Sequence, residues 1–391
     1  MIVSIAVASN RGKNTKRNAS GRSSRIFFST MKNLALRKNA ASMGTSRTGN
    51  AALPYLLTPA GWAFVLLASY VIWFLVTSER PVPAMPDQDT YLEYFRFTNW
   101  DWLKEYFERH PPGLALVPRL FTDELGWRVW ISLVNWLGFT PDGGIRLTVG
   151  LANGLVFCSL ARLRRPLLGL LLWIVIPTAL SVTGLFQIRQ GFAFGVAMMF
   201  CIVVRRPVLG LLIASTIHTT MTFPAILLII ARMSGPNDRV AIPVVSIAGA
   251  LLSLSAPMLF DAFGGRRIAD YAGYQAQFSV NLLVLLLSYC LASVLLIASV
   301  RYVRPLYMRS PLRELGLMHL GLIAYLVCAF LFFPFGKDRV FYLISLLLPY
   351  FLQETRVRNT ITLWITVMLY VMVVADIYIA YQKGVYVYFL G

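Results

Sequence analysis

PLLGLLLWIVIPTALSVTGLF, residues 166–186, runs its whole length without a charged side chain. A second such run, NLLVLLLSYCLASVLLIASV, fills residues 281–300. About twenty apolar residues at ~1.5 Å rise cross a hydrocarbon layer ~30 Å thick. Lipid offers backbone N–H and C=O groups no partner, so runs of this kind must be helices. The whole chain agrees: of 391 residues, 57% are hydrophobic and 14% charged, where soluble domains carry about 25% charged residues. The expected fold is all-α, a polytopic transmembrane helical bundle of about ten membrane segments.

From these two runs the other segments follow at 58–78, 143–161, 188–204, 240–259, 278–300, 315–335, 340–353 and 360–381. PVLGLLIASTIHTTMTFPAILLIIA (207–231) is ambiguous, because His218 and Pro224 interrupt it. Charge decides its reading. Short loops rich in Lys and Arg stay cytoplasmic. If 207–231 dips in and returns, Arg162, Arg164, Arg165, Arg205, Arg206, Arg232, Arg239, Arg301, Arg304, Arg309, Arg313, Arg356 and Arg358 all face the cytoplasm. A single crossing would turn the later ones outward. The hairpin is therefore expected.

Residues 1–53 read as a basic, disordered cytoplasmic tail, and 54–391 as the transmembrane domain. The first fifty positions hold ten basic residues and no acid, without the apolar stretch of a secretory signal ahead of the basic run. Likeness to an organellar transit peptide is superficial. Anionic headgroups are the most such a tail would bind. Nothing before Leu53 is patterned as structure, which leaves Met31 and Met43 open as starts. The net charge of +19 is no nucleic-acid signal, since the remaining basic residues are scattered over short loops. Cys158, Cys201, Cys290 and Cys328 each sit in an apolar segment with no C-x-x-C pair, so they read as small hydrophobes and not as metal ligands or a disulfide framework.

The section 79–142 holds ten of the seventeen acids and is expected as a long outer loop. Its apolar patches 113–121 and 125–138 are too short to cross and read as surface-lying or re-entrant helices. On the same side lie polar residues that a bland bundle would not keep: Arg189 in FQIRQGFAF (186–194), His218 in STIHTTM (215–221), Arg266, Arg267, Asp270 and Tyr271 in GGRRIADYAGY (264–274), and Lys337, Asp338, Arg339 and Tyr342 in GKDRVFYLISLLLP (336–349). Singly, each has an ordinary explanation: snorkelling arginines, a satisfied interior histidine, interfacial tyrosines. Together they put guanidinium groups on one leaflet, facing the acids of DQDTYLEYF (87–95) and DELGW (123–127). Arginine binds phosphoryl oxygens in a fork and stays charged in a partly apolar setting. A lipid-linked phosphate or diphosphate suits that cluster.

The order of these motifs resembles the EpsG family, Wzy-like polymerases of bacterial extracellular polysaccharides, from about Asp87 to Pro349. IRQGFAF followed by STIHTT is the most specific part. The resemblance implies an all-helical fold similar to the C-type membrane glycosyltransferases. It implies a polymerase at the outer face of the bacterial inner membrane, without cofactor or metal. That enzyme would transfer glycan from polyprenyl diphosphate to a second polyprenyl-diphosphate-linked oligosaccharide. A chain-length regulator and a flippase of the same pathway are expected partners. Carried over by motif, Asp87 or Asp89, Glu124 and His218 are the candidate catalytic groups. Arg189, Arg267 and Arg339 would bind the diphosphate, and Tyr91, Gln190, Tyr271 and Tyr342 the substrate. The 79–122 insertion is long for the family, which leaves Asp87 and Asp89 both open, and the basic tail is not typical. An outer-loop acid is favoured as the base, with His218 orienting substrate. Three other classes compete: a flippase or transporter, which would show internal repeats not found here; an O-acyltransferase using His218 as base; and a non-catalytic assembly subunit.

Overall fold

The computed structural model describes residues 58–78, 87–110, 113, 116–262, 280–303, 311–332, 336–357, 359–382 and 384–386. The expected tail, 1–53, and the loop 264–274 with Arg267 and Tyr271 lie outside the described residues. Every regular element among the described residues is helical.

Helix α1 (Pro59–Thr77) is capped by Thr58, whose hydroxyl accepts from the Gly61 amide at 3.1 Å. The section expected as an outer loop is built largely of four short helices, α2 (Gln88–Phe97), α3 (Trp100–Arg109), α4 (Leu116–Thr122) and α5 (Leu125–Trp136). Then come α6 (Pro141–Leu160), α7 (Pro166–Val175) and a π-helical stretch, Thr178–Phe186. Helix α8 (Ile188–Met198) runs into a second π-helical stretch, Met199–Val204. Helices α9 (Pro207–Ile217) and α10 (Thr222–Met233) flank a single 3-10 turn, Thr219–Met221. The chain ends with α11 (Asp238–Ala262), α12 (Val280–Val303), α13 (Pro311–Leu331), α14 (Lys337–Leu346), α15 (Leu348–Glu354) and α16 (Thr360–Gln382).

Six helices, α1, α6, α11, α12, α13 and α16, are long and apolar enough to cross a membrane. The other expected segments are shorter or broken. The 166–186 run is not one straight span: α7 and the following π-helix meet at 69°. Pro177 stands at the break, and proline lacks an N–H donor and crowds the carbonyl four residues back. Asn153 of α6 takes up polar groups beside the bend. Its Nδ2 donates to the Val149 and Gly184 carbonyls (2.9 and 3.0 Å), and its Oδ1 accepts from Trp173 Nε1 at 3.0 Å. Irregular backbone at membrane depth is tolerated only inside protein or against a cavity. The broken helices are therefore the ones to search for chemistry.

Two ion pairs mark one end of the bundle. Arg232 meets Glu314 at 3.0 Å and Arg313 meets Asp238 at 2.7 Å, while Glu354 accepts from the Arg164 amide at 2.6 Å. The hairpin is resolved from the same end. Cys201 contacts the Pro207 carbonyl and lies within electrostatic range of Arg232 and Glu314. Helix α9 thus leaves that end, its tip at His218 meets Glu124, and α10 comes back to Arg232. Of the two short apolar patches, 125–138 is no surface helix. Trp127, Ile131 and Val134 are wholly buried, and α5 packs on α9.

Candidate functional site

Glu124 sits between α4 and α5 with φ 53° and ψ 48°, a left-handed conformation that costs a non-glycine residue about 1–3 kcal/mol. The conformation turns its carboxylate toward two broken helices. Oε2 accepts from Arg189 Nη1 at 2.5 Å. Oε1 accepts from His218 Nδ1 at 2.6 Å, from the Thr219 amide at 3.1 Å and from the Thr219 hydroxyl at 3.3 Å. One acid therefore clasps the first turn of α8 and the break after α9.

Two glycines in the motifs make this approach possible. A Cβ on Gly126 would lie 2.3 Å from Thr216 Oγ1 and 3.0 Å from its carbonyl carbon. A Cβ on Gly191 would lie 2.3 Å from the Thr183 carbonyl oxygen. The glycine in ELGW thus lets α5 reach α9, and the glycine in IRQG lets α8 reach the preceding π-helix. Gly126→Ala is expected to push the Glu124 turn off His218, to cost about 1–3 kcal/mol by overpacking, and to lower activity with it. The double variant with Thr216→Ala should recover part of the thermal stability, because it removes the nearest clashing atom. Equal melting temperatures of the two variants would contradict this account of the glycine.

Arg189 also stands 5.6 Å from the Tyr91 ring and 5.2 Å from the Tyr94 ring. Helix α2, which carries both tyrosines, is fastened by the buried Gln88. Its Nε2 donates to the Leu185 and Phe186 carbonyls, each at 3.2 Å. Arg339, in the first turn of α14, is close enough to act electrostatically on His218, Tyr91 and Tyr342. Gln190, expected as a substrate ligand, is buried, and its Nε2 donates to the Arg339 carbonyl at 3.1 Å. It joins α8 to α14 and so sets where Arg339 stands. Asp87 and Asp89 separate here. Both are exposed, but Asp87, at φ 63°, lies within electrostatic range of Tyr91 and Tyr342, while Asp89 stands in the first turn of α2. Asp87→Asn is expected to lower activity at least tenfold and Asp89→Asn less than twofold. Matched losses in a polymer-yield assay would contradict that ranking.

Sequence reasoning missed Arg128 and Tyr94. Arg128 follows Glu124 by one helical turn, a spacing at which helix side chains are neighbours. Its guanidinium lies over Tyr94 at 4.3 Å and over Trp102 at 4.7 Å, and Nη1 donates to Thr98 Oγ1 at 2.8 Å.

The chemistry follows from who holds which proton. An ionised carboxylate only accepts, so the His218 Nδ1 must carry the hydrogen of its bond to Glu124. In a neutral ring that leaves a lone pair on Nε2, which is buried and has no hydrogen-bond partner among the described residues. Burial alone would push the Glu124 carboxyl up. The His218 ring and Arg189 beside it, with the Thr219 amide, outweigh burial and hold it at about 2. A carboxyl lowered below its unfolded value of about 4.3 stabilises the fold above that pH and loses the contribution as pH falls through about 2. Glu124 therefore adds no acid limb to a rate profile between pH 4 and 9. A limb in that window that persisted in His218→Gln and vanished in Glu124→Gln would contradict this. Among the described residues no group of His, Cys, Asp or Glu is placed to hold a metal ion.

Compared with known proteins, residues 62–390 match the family model described as the EpsG family. Curated proteins and solved structures give no match.

Proposed function

The chain belongs to the EpsG family, a multi-pass membrane protein of polysaccharide biosynthesis, and from that premise we propose that it is the polymerising glycosyltransferase itself. Its substrates are polyprenyl-diphosphate-linked oligosaccharides, joined at the outer face of the bacterial inner membrane. The end of the bundle with Arg232 and Arg356 faces the cytoplasm under the positive-inside rule. The Glu124 end faces out.

The observation that carries this reading is the set of guanidinium groups around Glu124. Arg128 and Arg189 act on one another's charge, Arg189 and Arg339 both act on His218, and of the three only Arg189 has a carboxylate within ion-pairing distance among the described residues. Guanidinium forks with no carboxylate of their own suit a dianionic diphosphate. In the proposed step the acceptor hydroxyl oxygen attacks the anomeric carbon of the donor glycan. The bond from that carbon to the phosphate oxygen breaks, and polyprenyl diphosphate leaves with the electron pair. Arg189 and Arg339 stabilise the charge growing on the leaving oxygen. The hydroxyl proton passes to His218 Nε2, and Glu124 holds the ring by its other nitrogen. This departs from the expectation of an outer-loop acid as base, because Glu124 is already committed to four hydrogen bonds. Asp87 is left to orient the acceptor sugar. A single displacement of this kind inverts the anomeric configuration.

Deleting the gene tests the class of activity. Single lipid-linked repeat units should accumulate on the outer leaflet while polymer disappears. Units trapped on the cytoplasmic leaflet would make the protein a flippase. Polymer of normal length lacking acyl groups would make it an acyltransferase.

A further inference from the structure

Arg128 has a place in the site that no motif assigns. Its guanidinium is held between two aromatic faces, Tyr94 at 4.3 Å and Trp102 at 4.7 Å. One nitrogen is spent on Thr98 Oγ1 at 2.8 Å. Among the described residues no carboxylate lies within ion-pairing distance of it, although Glu124, Asp123 and Arg189 are all near enough to act on its charge. The side chain is partly buried. A buried cation normally finds an anion, because desolvation is otherwise uncompensated. Aromatic faces supply part of that compensation and also fix the plane of the fork. They leave its remaining N–H groups without an anionic partner, beside an arginine that is likewise committed to Tyr94. Trp102 in turn is stacked on Tyr106, whose hydroxyl donates to Asp123 at 2.5 Å. The aromatic seat of Arg128 is thereby tied to the residue preceding Glu124.

Resting on the diphosphate reading above, we propose that Arg128 is a third oxyanion-binding arginine of this site, gripping the donor diphosphate together with Arg189. Tyr94 is shared by the two guanidinium groups and sets their relative position. Arg128 binds substrate directly; Tyr94 and Trp102 are positioning residues. The same fork would accept a carboxylate from an acidic sugar, so the test separates the two sources.

The purified full-length protein in nanodiscs is titrated with methylenediphosphonate and, separately, with glucuronate, for wild type, Arg128→Gln and Arg128→Lys. Thermal unfolding of each unliganded variant checks that it is folded. Wild type is expected to bind the diphosphonate, Arg128→Gln to bind it at least tenfold more weakly, and Arg128→Lys to fall between. Trp102→Leu should weaken binding severalfold with Arg128 intact. Diphosphonate affinity unchanged in a folded Arg128→Gln would overturn the assignment while leaving the diphosphate reading standing. Glucuronate binding that depends on Arg128, with diphosphonate binding that does not, would reassign the residue to the sugar. A wild type blind to diphosphonate would overturn the reading beneath the proposal as well. If Arg128→Gln does not fold, Arg128→Lys decides: wild-type affinity there rules out a role for the planar fork.

Discussion

Arg189→Ala is expected to abolish polymer formation while the protein stays in the membrane. Two losses coincide. The transition state loses a fixed donor at the leaving oxygen, a change that typically costs 10²- to 10³-fold in rate. Glu124, whose side chain is only 13% exposed, also loses its ion-pair partner. Breaking a buried pair from one side costs about 3–5 kcal/mol, because the remaining charge is uncompensated. The two losses can be separated. The double variant Arg189→Ala with Glu124→Gln should regain much of the thermal stability and none of the activity. Arg189→Lys keeps the charge but not the second nitrogen of the fork, and should retain stability with a large loss of turnover. Activity returning together with stability in the double variant would mean that Arg189 serves the fold alone.

His218→Gln is expected to lower turnover by about 10²- to 10⁴-fold, the usual worth of a positioned general base. Glutamine can still donate to Glu124, so the hairpin tip should hold its place and diphosphonate should bind as in wild type. That split is the signature of a group acting on the acceptor proton and not on the leaving group. Weakened diphosphonate binding at unchanged single-turnover rate would give His218 to the substrate instead. The same comparison asks whether Asp87 is the base. Asp87→Asn should then show the larger loss of turnover, and His218→Gln the smaller.

The sequence made the helical class legible because lipid leaves the backbone no alternative, and the charge count of short loops selected the hairpin at 207–231. Glu124, Arg189 and His218 were each visible as polar residues out of place, and the structure brings them into direct contact. What was hidden depends on geometry that no pattern encodes. The 69° break at Pro177 lies inside a run whose apolar content alone spells a straight span. Gln190 shares its motif with Arg189 yet turns inward to the Arg339 carbonyl. Asp87 and Asp89 differ by two positions, which on a helix start points them to different sides. Arg128 stands outside the quoted motifs, and its aromatic seat comes from α2 and α3, tens of residues upstream. The polar residues that hold the frame, Gln88 and Asn153, donate to backbone carbonyls, partners that no pairing of side chains in the sequence announces.

The central claim, that the centre gathered by Glu124 cleaves glycan from polyprenyl diphosphate, is tested most directly by stoichiometry. Purified protein is given a single lipid-linked repeat unit, and released polyprenyl diphosphate is counted against glycosidic linkages formed. The account predicts one diphosphate carrier released per linkage in wild type, and neither product in Arg189→Ala or His218→Gln. Linkages formed without release of the carrier, or equal release in the variants, would contradict it.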